Sequence, residues 1–294
     1  MPSFLGVCLS KQLRMLKPIV ERSTIQDARF VQDKCGELGA KANANKVSFV
    51  DVPFKNFRSA WAIPKECTAP DRAVLYLHGG GYTAGHLEYA KGFGSVLAVN
   101  AGIRILCVAY RLAPEYAFPA ALDDALEAYK YLLANGCPAE NISLAGESAG
   151  GGLEFALAIK LRELSLPLPR NIVALSPWSD LAMTGESYTS NYESDPSLAK
   201  NSLEFYASLY AKGNLRNPLV SPLYGNLSGM PDSLIFAGAD EILLDDSTQL
   251  AQKLLDSGCK CTLHVVEGMW HVFPLYAIPE GKQAIKEICE FLKE

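Results

Sequence analysis

The chain has 294 residues, with 27 Lys+Arg against 32 Asp+Glu and a formal charge of −5. A hydrophobic fraction of 49% at this low net charge excludes intrinsic disorder, and the acidic balance argues against a protein that grips a nucleic-acid backbone. Eight cysteines without a CxxC pair, and only four histidines, argue against a structural zinc site and for reduced thiols in a cytoplasmic protein.

Two helical patterns, about 8–20 and 24–40, come first. In MPSFLGVCLSKQLRMLK the cations follow the apolar residues, so the stretch does not read as a signal peptide. No apolar run reaches the roughly 18 residues of a membrane span. The first helix reads as one that caps its own protein rather than one lying on a membrane. VSFVDV (47–52) and RSAWAIP (58–64) then look like paired strands. AVLYLH (73–78), ILCVAY (105–110), ISLAG (142–146), IVALSP (172–177), SLIFAG (233–238) and TLHVVEG (262–268) are short apolar runs suited to strands buried on both faces of a parallel sheet. Helical patterns at 89–100, 120–135, 149–163, 246–257 and 282–293 separate them, which predicts an α/β doubly wound sheet. Residues 180–230 break the rhythm and carry one helical segment near 198–212. The predicted organisation is N-terminal helices forming part of a cap (1–45), an α/β core (46–179 and 231–294) and a cap insertion (180–230).

In such sheets ligands bind beyond the carboxyl ends of the strands. After ISLA comes GESAGG, a G-x-S-x-G turn between strand and helix that puts Ser148 on strained backbone at a helix N-terminus. After AVLYL comes HGGGY, whose glycines let backbone N–H groups point into a cavity. Gly80, Gly81 and Ala149 are the candidate oxyanion donors, and His78 reads as structural. After SLIFAG, Asp240 stands at the strand end, where an acid can orient a histidine. Asp245 and Asp246 read as caps of the next helix. His271, on a loop past the last strand, is the candidate base. His264 lies within that strand, and His86 follows the glycine loop. The order Ser148, Asp240, His271 is that of a hydrolase triad.

Taken together, HGGGY, YRLAPEYAFPAALDD (110–124), GESAGG, SPWSDL (176–181), NPLVSPL (217–223) and GMWHVF make the chain resemble the hormone-sensitive-lipase-like (family IV) carboxylesterases of the α/β-hydrolase superfamily from about residue 70 onward. The resemblance implies an eight-stranded, mostly parallel sheet with a helical cap and serine-esterase activity on small carboxylic esters, without metal or cofactor. It implies that Arg111 and Glu115 brace a loop near the site, and acyl chains of roughly two to eight carbons. Two departures stand out: Glu147 precedes the serine where Asp or Thr is common, and the acid motif reads Asp240-Glu241-Ile242-Leu243. Tyr82, His86, Glu147, Tyr188, Phe205, Tyr206 and Tyr210 are the candidate substrate-binding residues. A lactone hydrolase or a deacetylase of a small metabolite uses the same triad, and a non-catalytic receptor uses the same fold. The expected partner is a small ester, with neither nucleic acid nor stable membrane association. A homodimer through the C-terminal edge strand is a further expectation of the resemblance.

Overall fold

Strands whose residues are apolar throughout have no solvent face to offer, so they settle in the middle of a sheet covered on both sides. The computed structural model, which describes residues 1–294, has eight strands: β1 (Val47–Pro53), β2 (Arg58–Pro64), β3 (Ala73–Leu77), β4 (Arg104–Ala109), β5 (Ile142–Glu147), β6 (Asn171–Leu175), β7 (Asp232–Gly238) and β8 (Cys261–Val266). They form one sheet in the order β1-β2-β4-β3-β5-β6-β7-β8. β1, β2 and β4 pair antiparallel, and every other neighbour is parallel. β3, β5 and β6 are buried at every residue, whereas β8, at the edge, is only half-buried.

Nine α-helices accompany the sheet: α1 (Phe4–Glu21), α2 (Ile25–Ala42), α3 (Leu87–Ala101), α4 (Ala120–Ala134), α5 (Ala149–Glu163), α6 (Ser187–Ser190), α7 (Lys200–Ala211), α8 (Leu244–Asp256) and α9 (Pro279–Lys293). The alternation of side chains along each strand divides the core into two. Leu75, Leu144 and Ile172 pack against α4, α5 and α8, while Tyr76, Ala145 and Val173 pack against α3 and α9.

The N-terminal helices are fastened by specific contacts. Ser3 caps α1 by accepting from Gly6 N at 3.0 Å, and its hydroxyl donates to Glu280 of α9 at 2.9 Å. α2 starts with a capping box between Thr24 and Asp27. Its Gly36 lies so close to α3 that an added Cβ would sit 2.2 Å from the Glu88 carbonyl oxygen. Two turns earlier, Arg29 donates to both carboxylate oxygens of Glu115 (2.9 and 2.7 Å), to Thr83 O (2.7 Å) and to Ala113 O (3.0 Å). Arg14 of α1 donates to Glu193 O and Ser194 O, and Lys17 to Tyr192 O and Asp195 O, so α1 is tied to the insertion.

The insertion is moored at its other end by residues expected as helix caps. Asp246 is buried and accepts from Ser179 N (2.9 Å), Asp180 N (2.7 Å) and Tyr188 Oη (2.8 Å), while Asp245 accepts from Ser187 N at 3.0 Å. The capping expectation for Asp245 and Asp246 is therefore corrected: both stand in the first turn of α8, but their carboxylates reach across to the chain leaving β6.

Arg111 forks onto Asp124, which is fully buried, with Nη2 and Nε at 2.7 and 3.0 Å from Oδ1. Removing the guanidinium strands a buried carboxylate. Arg111→Ala is expected to cost about 3 kcal/mol or more in urea unfolding, with Arg111→Lys in between; a loss within about 0.5 kcal/mol would make the pair a surface ion pair in energetic terms.

Candidate active site

The parallel strands end at the same edge, and Ser148, Glu241 and His271 stand in the turns that follow β5, β7 and β8. Ser148 follows β5 at φ 55°, a conformation that side chains with a Cβ rarely adopt. It is held there by its own N–H to Leu175 O (2.9 Å) and by Trp178 N–H to its carbonyl (2.9 Å). Gly150, one position into the helix, is the reason the turn fits: a Cβ there would stand 1.9 Å from Leu77 O. Tyr82, Ser176 and Val272, after β3, β6 and β8, also have positive φ, so four of the seven non-glycine residues in this region of backbone space ring one edge of the sheet.

His271 is buried and its Nδ1 donates to Glu241 Oε2 at 2.9 Å. Glu241 Oε1 accepts from Gly238 N at 3.2 Å. The sequence expectation that Asp240 is the partner of His271 is therefore corrected. Asp240 uses its backbone N–H on Met269 O (3.0 Å), and its half-buried carboxyl lies among Glu267, Arg14 and Asp195. The turn after β7 aims residue 241, not 240, into the site. Burial pushes the Glu241 carboxyl up, while the bond from His271 opposes that shift. Ser176 joins the two sides, taking Val272 N–H on its hydroxyl at 3.0 Å.

The glycine loop after β3 is bound to the serine turn from beneath. Glu147 is fully buried; its Oε1 accepts from Gly79 N (2.6 Å) and its Oε2 from Tyr76 Oη (2.6 Å). Burial raises its pKa to about 7 against the opposing pull of Tyr76, Gly79 and Tyr89. With Gly79 N–H so engaged, the N–H groups of Gly80 (φ 113°) and Gly81 (φ 60°) make no hydrogen bond within the chain. Ala149 is the first residue of α5, where a helix has N–H groups to spare. His78 is buried, bonds to Gly79 O through Nδ1 at 2.7 Å and stacks on Tyr110 at 4.3 Å. Burial lowers its pKa to about 4, which keeps it neutral and structural.

Of the remaining site candidates, Phe205 and Tyr206 line a cavity of about 360 Å³ with Glu21, Arg22 and Ile25 from the α1–α2 turn. Tyr206 also lies against Gly81, 2.7 Å from where a Cβ would stand, while neither Ser148 nor His271 lines this cavity. The others are corrected. Tyr82 and Tyr210 are buried against each other, ring on ring at 3.7 Å. Tyr188 is buried on Asp246. His86 precedes α3 and pairs with Asp33 of α2 at 2.7 Å. Glu147 lies behind the loop rather than in the cavity. No group of three His, Cys, Asp or Glu side chains is placed to hold a metal.

The family described as the alpha/beta hydrolase fold matches residues 74–275. An acetyl-hydrolase of Streptomyces hygroscopicus is 41% identical over 97% of both chains. An ethyl acetate hydrolase of Pseudomonas putida is 33% identical over 76% of this chain and 73% of its own. A crystal structure of an esterase from the bacterial hormone-sensitive lipase family superposes with a TM-score of 0.89 at 37% identity, covering 99% of this chain and 98% of that one.

The buried Glu147 gives a signed dependence on pH. Its folded pKa of about 7 exceeds the ordinary 4.5, so between these values the folded state holds a proton that the unfolded chain releases. Its contribution to stability is present below about pH 4.5 and is lost as pH rises through about 7. Glu147→Gln, which does not titrate, should gain in melting temperature relative to the parent chain across that window. Parallel melting curves would refute the assignment.

Proposed function

The chain belongs to the α/β-hydrolase family, as a carboxylic ester hydrolase of the hormone-sensitive-lipase type, and we propose that it cleaves esters of short acyl groups through Ser148, His271 and Glu241. The observation that carries this reading is the buried bond from His271 Nδ1 to Glu241, which fixes the imidazole tautomer and leaves Nε2 to act as base. His271 takes the proton of Ser148 as its oxygen attacks the ester carbonyl. The charge that develops on the carbonyl oxygen is received by Gly80, Gly81 and Ala149 N–H, each worth roughly 3–4 kcal/mol in comparable sites. The alcohol leaves with the proton from His271, and water repeats the sequence on the acyl-enzyme.

Residues 1–45 and 180–230 form the cap in this reading, and the substrate enters between them, where Tyr206 both lines the cavity of the two cap segments and lies against Gly81. Short acyl groups are supported by the names of the relatives, an acetyl-hydrolase and an ethyl acetate hydrolase.

The test is hydrolysis of a p-nitrophenyl ester series from acetate to palmitate. Turnover should favour the short esters and vanish in Ser148→Ala. Glu241→Gln should lower kcat by about 10⁴, while Asp240→Asn stays within a few-fold of the parent. The reverse ranking of those two variants would return the acid role to Asp240.

A further inference from the structure

Helix α1 turns the wrong face outward for a helix whose purpose is to pack. Its inward side is narrow: Gly6 is buried, and Leu9 and Leu13 reach the core. Phe4, Leu5, Met15, Leu16, Ile19 and Val20 are all exposed, from 51% to 86% of their surface. At 100° per residue they fall on one side of the helix, with Cys8 and Gln12 between them and the half-buried Leu9 at the margin where this side meets the inward one. Across the whole chain, eleven of the eighteen exposed large hydrophobic residues lie within the first 38 positions. Apolar surface gathered in this way, rather than scattered, marks a contact site.

The charge of the same segment identifies the contact. Residues 1–42 hold seven Lys and Arg against four Asp and Glu, a balance of +3, while the remaining 252 residues hold 20 against 28, a balance of −8. Lys11 and Arg22 are exposed close to the apolar side. An apolar face edged with cations on an otherwise acidic body fits an anionic lipid surface: the helix is attracted, and the body is held away from it. A second acidic copy of the chain offers no comparable attraction.

We propose that the outward face of α1 docks reversibly on anionic lipid bilayers. Docking brings the α1–α2 turn to the lipid boundary. Glu21, Arg22 and Ile25 of that turn line the cavity whose other wall is Phe205 and Tyr206, so the cavity opens where an ester dissolved in the lipid would be met. No helix is long and apolar enough to cross a membrane, and a single interfacial helix holds weakly, which suits an enzyme that must come and go.

The experiment is co-sedimentation of the full chain with vesicles of phosphatidylcholine alone and of phosphatidylcholine with phosphatidylglycerol, at low and high salt. Binding to the anionic vesicles is expected, released by salt, with each cation near the surface strengthening it roughly fivefold. Leu16→Glu combined with Ile19→Glu should weaken binding by roughly tenfold or more. These side chains face water, so the variant's melting temperature and its turnover of a water-soluble ester should match the parent. Because the readout is sedimentation, failure of docking and failure of the esterase reading remain distinct. No sedimentation with either vesicle, equal sedimentation with both, or a parent dimer that the double variant splits would each overturn the proposal, the last by giving the face to a second copy.

Discussion

The hydrogen bond from Gly79 N–H to Glu147 Oε1 is the contact on which the site depends. β3 and β5 are neighbours in the sheet, but the loops leaving them have no ladder to hold them in register. Gly79 begins one loop and Glu147 immediately precedes Ser148 in the other, so this one carboxylate fixes the distance between the serine and the free N–H groups of Gly80 and Gly81. Burying a carboxylate is costly unless its lone pairs are taken. Tyr76 and Gly79 take them here, and the residual cost shows as the raised pKa. A shorter aspartate from the same backbone position would reach less far, so Glu147 goes with the particular spacing of these two strand ends.

The glycine loop is also held from its outer side. Arg29 of α2 reaches Thr83 O just beyond the loop, and Asp33 accepts from His86 N at 3.0 Å where α3 begins. The N-terminal helices are therefore part of the support of the loop, and their connecting turn forms one wall of the cavity. Glu115, in the chain after β4, completes this support through Arg29, consistent with the bracing role that the sequence resemblance implies for it.

Most of the fold was legible because buried parallel strands and their covering helices leave strong apolar periodicities, and the turns that follow them leave glycine motifs. Ser148, His271, Gly80 and Gly81 are conspicuous for that reason. Glu241 was not, because the pattern that marks a strand ends at Gly238, and the rotation of the next three residues depends on the bonds from Ala239 and Asp240 N–H to Val266 and Met269 O. Two adjacent acids look equivalent until that rotation is known. The tyrosines failed for a related reason: Tyr82, Tyr188 and Tyr210 pack the base of the insertion, while Phe205 and Tyr206 line its cavity, and aromatic content alone does not separate the two uses. The outward face of α1 was hidden because the helix has apolar residues on both sides, and the side that turns inward is the one carrying the buried Gly6, whose backbone lies near the Met269 side chain.

The crossing of α2 and α3 at Gly36 divides the cover of the site into unequal parts. With backbone against backbone and no room for a methyl group, α2 moves with the core and keeps the glycine loop in place. α1 and its turn into α2 meet the core through side chains instead, and α7 through side chains and one backbone bond, from Phe118 N–H to Tyr210 O at 2.9 Å. Changes at residues 21–25 and 199–206 can therefore reshape the chamber while the reacting groups stay where they are. A scaffold divided in this way lets lineages diverge in what they accept without rebuilding how they react.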